Sequence, residues 1–62
     1  RDKRFKKISI TIKELITNNE LSLEEICEQI SNVNDQEIIN ILNFLFDNDK
    51  IGKFGNKYQW KG

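Results

Sequence analysis

The chain of 62 residues contains no His, no Pro and no Met, and Cys27 is its single cysteine. Without His, neither a Ser-His nor a Cys-His pair can form, which excludes nucleophilic catalysis of that type. One cysteine also falls short of the ligands that a zinc ion needs and cannot form an internal disulfide. The glycines Gly52, Gly55 and Gly62 make no phosphate-binding loop. We therefore expect no enzymatic activity, metal, cofactor or small-molecule substrate in this chain.

The absence of Met predicts a domain cut from a longer protein, because a complete gene product starts with one. Any enzymatic activity of that parent is then expected in its other residues, and the rest of the parent chain becomes an expected partner.

No apolar run approaches the roughly 18 residues of a membrane span, and no signal peptide is visible, so no membrane contact is expected. A lone cysteine is typical of a reducing compartment, which favours an intracellular location, cytoplasmic or nuclear.

Positive charge is missing from the middle of the chain. Residues 14–49 contain nine acidic residues and no Lys or Arg, a net charge of −9. Residues 1–13 contain six basic residues and one acid, a net charge of +5, and residues 50–62 contain four Lys, a net charge of +4. The overall charge of zero thus conceals a segregation that indicates charged partners at the two ends.

Apolar residues at helical spacing predict two helices in the first half of the chain. The first is expected from about Lys6 to Thr17, although the alternation in ISITI also suits a strand. The second follows a capping box, in which Ser22 caps the helix and Glu25 reaches back to the cap. It is expected from Leu23 to about Ile30.

A third helix is predicted from Asp35 to about Asn48, the longest of the three. Asn34 is expected to cap it, and Glu37 is expected to complete a second capping box. The predicted core joins the apolar faces of the helices to the C-terminal segment: Ile8, Ile12, Leu15, Ile26, Cys27, Ile30, Val33, Ile38, Ile41, Leu42, Leu45, Ile51 and Trp60.

The C-terminal segment KIGKFGNKYQW predicts a β-hairpin. Two short strands flank Gly55 and Asn56, a pair that suits a type II′ turn. That turn sets a register in which Ile51 faces Trp60 and Phe54 faces Lys57. One face of the hairpin is then expected to present Ile51, Lys53, Tyr58 and Trp60. The other is expected to present Gly52, Phe54, Lys57 and Gln59.

The segment LSLEEICEQISNVNDQEIINILNFLFDNDKIGKFGNKYQW, from Leu21 to Trp60, resembles a winged helix-turn-helix domain. The resemblance rests on these features in chain order: Ser22 opening the second helix, Val33 and Asn34 at the turn, Leu42 and Leu45 in the third helix, and Asp49-Lys50-Ile51 entering the wing. Asp49 and Asn32 stand where such domains often have Gly, and both residue types tolerate positive φ. The resemblance implies a mainly α fold with a small β-hairpin. It predicts a three-helix winged-helix domain over residues 6–62, after a basic N-terminal arm over residues 1–5.

Similar small winged helices are appended to replication, transcription and helicase proteins, and some of them dock proteins instead. Such domains usually lay the third helix in the major groove, but here that helix has no Lys or Arg. We therefore expect weak, salt-dependent nucleic-acid contact through the wing and the basic arm, without strong base specificity. The residues expected to make it are Arg1, Lys3, Arg4, Lys6, Lys7, Lys53, Phe54 and Lys57. The simpler alternative is a soluble hairpin whose lysines keep its edge unpaired.

A second hypothesis from a different class is a protein-docking module that receives a basic protein segment. Its expected residues lie on the outer side of the third helix: Glu37, Asn40, Phe44 and Asp47. Phe44 lies opposite the core stripe, where an exposed aromatic suggests a docking surface. The simpler alternatives are that the acids complement helix dipoles and that the parent chain covers Phe44. A third hypothesis is a structural appendage that caps the parent protein.

Overall fold

The computed structural model describes residues 2–61, which form three helices and one antiparallel sheet. The elements in chain order are α1 (Asp2–Asn18), β1 (Leu21–Ser22), α2 (Leu23–Gln29), α3 (Asp35–Asp47), β2 (Ile51–Phe54) and β3 (Lys57–Trp60). The strands lie in the order β1-β3-β2, so the two-residue strand β1 adds a third strand to the predicted hairpin. The predicted class, mainly α with a small β element, is confirmed at that level.

α1 begins earlier than the sequence predicted. It starts at Asp2 instead of Lys6, so residues 2–5 are helical and do not form an arm. Contacts with α3 stabilise this first turn, because Arg4 binds Glu37 and the ring of Phe5 packs against that of Phe44. Arg1 lies outside the described residues.

The cap of α2 has the predicted geometry. The Glu25 amide donates to the Ser22 hydroxyl over 3.2 Å, and the Ser22 amide donates to the Glu25 carboxylate over 2.8 Å. The side chain of Asn34 caps α3 as predicted. The prediction of a second capping box is wrong, however, because the Glu37 carboxylate accepts hydrogen bonds from Arg4 and not from the backbone of Asn34. A long-range ion pair has displaced a local hydrogen bond at this position.

The end of α3 turns through a left-handed residue. Asp49 has a φ of 60°, a left-handed conformation to which the Gly often found at this position is suited. Asn32 does not have a positive φ. The amide of Lys50 donates to the carbonyl of Leu45 over 2.9 Å, which closes the helix end. The Lys61 amine lies 2.6 Å from the Asp49 carboxylate, and this hydrogen bond and the positive charge hold the Asp49 pKa below its ordinary value.

The hairpin has the predicted register. Ile51 pairs with Trp60 and Phe54 with Lys57, in antiparallel strands. Gly55 has a φ of 65°, as the first central position of a type II′ turn requires. On the other side of β3, Leu21 of β1 pairs with Tyr58.

The core lies between the three helices and the inner face of the sheet. Of the predicted core, Leu15, Cys27, Val33 and Trp60 are only partly buried. Ile16 is fully buried instead of Leu15, because it lies one turn beyond Ile12 on the same side of α1. The buried residues are Ile8, Ile12, Ile16, Ile26, Ile30, Ile38, Ile41, Leu42, Leu45 and Ile51.

Candidate nucleic-acid interface

The exposed side of α1 presents a row of four lysines. Lys3, Lys6, Lys7 and Lys13 are all exposed, and their spacing places them on one side of the helix. Ile10, whose side chain is 49% exposed, lies among them. Its spacing from the buried residues of α1 places it away from the core. Lys3, Lys6 and Lys7, which were predicted to make nucleic-acid contact from a basic arm, thus lie on one face of a helix.

Two lysines from different elements lie over aromatic rings of the same strand. The Lys13 amine is 5.2 Å from the centroid of the Trp60 ring, and the Lys53 amine is 5.6 Å from that of Tyr58. Both distances are within the range of cation–π attraction. Trp60 and Tyr58 are two residues apart on β3, so they project from the same face of the sheet. The lysine row of α1 therefore reaches β3 through Lys13, and Lys53 of the hairpin lies over the next ring on the same face of that strand.

We call this arrangement the basic track, and it comprises Lys3, Lys6, Lys7, Lys13 and Lys53. Its members come from both ends of the sequence, and Lys13 and Lys53 each lie over a ring of β3. Lys13 was not among the predicted site residues, and Trp60 was assigned to the core alone. The hairpin register did predict that Lys53 faces Tyr58, but no local pattern links Lys13 to Trp60, which lies 47 positions further along the chain.

Two predicted wing residues lie apart from the basic track. The Lys57 amine is 3.5 Å from the Glu25 carboxylate, on the opposite face of the hairpin from Lys53. The pKa of Glu25 lies below its ordinary value, mainly because the Ser22 amide donates to it and also because Lys57 is near. Phe54 also lies on the Lys57 face and is 58% exposed.

The ring of Phe54 covers Gly52. A Cβ atom added at Gly52 would lie 3.2 Å from the Phe54 ring. The Phe54 ring thus has a packing role within the hairpin. Its exposed ring remains available to stack on a base.

Four residues of α3 were predicted to dock a basic segment, and two of them accept hydrogen bonds from other side chains of the domain. Both oxygens of the Glu37 carboxylate accept from the Arg4 guanidinium, over 2.8 and 3.1 Å, and this pairing lowers the pKa of Glu37. The side-chain oxygen of Asn40 accepts from Gln36 over 3.1 Å. Arg4 is thus directed to α3, away from the basic track. Asp47 is exposed.

Phe44 is half exposed, as its position opposite the core predicted. Its ring meets that of Phe5 edge-on, with centroids 5.1 Å apart. The two rings border a shallow, mainly apolar depression of about 380 Å³ between α1 and α3. The residues that line this depression are Phe5, Lys6, Ser9, Phe44 and Leu45.

Acidification is expected to destabilise the fold through Glu25, Glu37 and Asp49, whose pKa values are lowered by their partners. A carboxylate whose pKa is lower in the folded state than in the unfolded state stabilises the fold fully at a pH above its unfolded-state pKa, which is near 4. This stabilisation is lost as the pH falls through the folded-state pKa. The melting temperature should therefore fall between pH 5 and pH 3, as measured by circular dichroism. Glu25→Gln should melt lower at pH 6 and show a shallower acid dependence. A wild-type melting temperature that stays constant over this range would contradict the assignment.

Three further features concern metal ligands, the membrane and the single thiol. Within residues 2–61, no three His, Cys, Asp or Glu side chains lie close enough together to hold a metal ion. None of the helices in that range is long and apolar enough to cross a membrane. Burial, and then a hydrogen bond with Asp35, raise the pKa of Cys27, so its thiol is not activated as a nucleophile.

No protein-family model, curated protein or solved structure matches this chain.

Proposed function

We propose that this chain is a winged-helix module that binds nucleic-acid backbones through the basic track and has no catalytic role. The order of its helices and strands, with a three-stranded sheet at one side, supports a winged-helix fold. The observation that carries the functional proposal is the pair of contacts Lys13–Trp60 and Lys53–Tyr58. They bring one lysine of α1 and one lysine of the hairpin against the same strand, which supports a shared binding surface.

The chemistry of the basic track suits phosphates. Lysine amines attract the phosphate groups of either DNA or RNA, and their contacts read no sequence. The rings of Trp60 and Tyr58 favour a defined position for two of the amines, which lowers the cost of ordering them on binding. Partly exposed aromatic rings beside lysines are also a feature of surfaces that grip single strands.

The helix α3 does not take the groove-reading role in this proposal. It contains no Lys or Arg, and Asp35, Glu37 and Asp47 would face phosphates with the wrong sign. Arg4 neutralises only Glu37. Binding without base readout follows, since the remaining contacts are to the backbone.

The proposal predicts a steep dependence of affinity on salt. Five lysines in contact with phosphates give a slope of log K against log salt of about −4.5 for duplex DNA and about −3.5 for a single strand. The dissociation constant is expected to be in the roughly micromolar or weaker range at physiological salt. Fluorescence anisotropy with labelled 20-nucleotide probes, titrated at several KCl concentrations, measures both values. Two probes of unrelated sequence should bind equally well.

Binding that does not change with salt, or no binding at low salt, would overturn the proposal. A strong preference for one of the two sequences would instead assign base reading to α3. The alternative of docking a basic protein segment is less favoured by the geometry. Arg4 already binds Glu37, and Lys6 borders the apolar depression, so a basic segment would meet two cations there.

A further inference from the structure

A second cavity lies where the start of α2 meets the hairpin. Its volume is about 300 Å³, at the lower end of the range for small-molecule sites. We call it the hairpin cavity, and the residues that line it are Ser22, Leu23, Glu24, Lys53, Asn56 and Tyr58. We propose that this cavity holds one unpaired base of a single-stranded nucleic acid, stacked on the ring of Tyr58. The inference rests on the proposed function, because the basic track would hold the phosphates of the same strand.

The lining of the hairpin cavity combines an aromatic ring, an apolar side chain and an amide. Tyr58 and Leu23 are both partly buried, so part of each remains available for contact. An aromatic ring accepts any base, because every base has a face that can stack. Asn56 is exposed at the turn, and its amide can either donate to a base edge or accept from one. The cavity can therefore hold a base without selecting its identity.

Two opposite charges set the direction in which a nucleotide enters the hairpin cavity. The Lys53 amine lies 5.6 Å from the centroid of the Tyr58 ring, so its flexible side chain can reach the phosphate of a nucleotide whose base stacks there. Glu24 lines the cavity from α2, and its exposed carboxylate repels a phosphate. A free phosphate ion would meet this like charge. A nucleotide instead places its neutral base in the cavity and its phosphate at Lys53.

The hairpin cavity shares a residue with the basic track. Lys53 lines the cavity and is also the member of the track that belongs to the hairpin. A strand whose backbone follows the track can therefore turn one base towards Tyr58. In a duplex the bases are paired and stacked with one another, so entry would first require unpairing, which costs free energy. The cavity accordingly favours a single strand.

The base contact is tested with two single strands that carry the same phosphates. One is a 20-nucleotide DNA of mixed sequence, and the other has an abasic site at every position. Fluorescence anisotropy at 0.1 M KCl should show about tenfold weaker binding of the abasic strand, as expected for the loss of one stacked base. The salt slope should be the same for both strands, because the number of phosphates is unchanged.

The outcome of this comparison separates the two proposals. Equal affinity for the two strands would exclude a base from the hairpin cavity, while their salt-dependent binding would still support phosphate contact by the basic track. Failure of both strands to bind at low salt would overturn the proposed function itself. The comparison uses the wild-type protein and so does not depend on the folding of a variant.

The position of the base is tested by Tyr58→Leu, which removes the ring and keeps an apolar side chain in β3. This variant should bind the normal and abasic strands within about twofold of each other, and its affinity for duplex DNA should fall less than about threefold. Phe46→Leu is the matched control, since Phe46 is 52% exposed on α3 and does not line the cavity. It should retain the full difference between the strands. A difference that persists in Tyr58→Leu, or disappears in both variants, would contradict the assignment, and thermal melts establish that both variants are folded.

Discussion

Replacing Ile41 with Ala is expected to leave a large fraction of the chain unfolded at 25 °C. Ile41 is 1% exposed and lies at the centre of the buried face of α3. Such truncations cost about 2–5 kcal/mol, since the lost methylene groups leave a cavity. A core in a chain of this size rarely supplies more than about 3–5 kcal/mol in total, and here no disulfide adds to it. Circular dichroism during urea and thermal denaturation measures the change in the free energy of unfolding.

Ile39→Ala on the same helix is the matched control. Ile39 is only partly buried, so the same change in side chain should cost about 1 kcal/mol and leave the domain folded. Equal destabilisation by the two substitutions would contradict the placement of the core. A wild-type-like melting curve for Ile41→Ala would contradict it as well.

The double substitution Lys13→Gln with Lys53→Gln is expected to weaken nucleic-acid binding by roughly 50-fold at 0.1 M salt. Each phosphate contact contributes about 0.9 to the salt slope, so removing two should reduce the slope by about 1.8. In the proposed interface these two lysines connect α1 to the hairpin, and both lie over rings that the substitutions leave unchanged. Fluorescence anisotropy over a range of KCl concentrations measures the affinity and the slope.

Lys57→Gln with Lys61→Gln removes the same charge from the opposite face of the hairpin. Lys57 pairs with Glu25, and Lys61 pairs with Asp49 and lies beside Gly52. This control should weaken nucleic-acid binding by less than about threefold. If it weakens binding as much as the first pair does, the attraction depends on total charge and the basic track has no special role. If it alone weakens binding, the outer face of the hairpin is the interface.

Several features of the fold were predictable because they depend on neighbours in sequence. The Ser22–Glu25 capping box and the hairpin register involve residues that lie close together along the chain. The stripe of apolar residues on α3 likewise follows from helical periodicity alone. The prediction that Asp49 would stand in for Gly was confirmed by its positive φ.

The sequence by itself determined the helices α2 and α3, the turn of the hairpin and the segregation of charge, since hydrogen bonds and side-chain periodicity within a few residues specify them. The tertiary structure alone decided where α1 begins, why Glu37 pairs with Arg4 instead of completing a capping box, and which lysines lie over the rings of β3. Those outcomes depend on Arg4 meeting a carboxylate 33 positions away and on Lys13 reaching Trp60. Contacts of this length follow from how the helices cross and how the sheet packs beneath them, which no local pattern encodes.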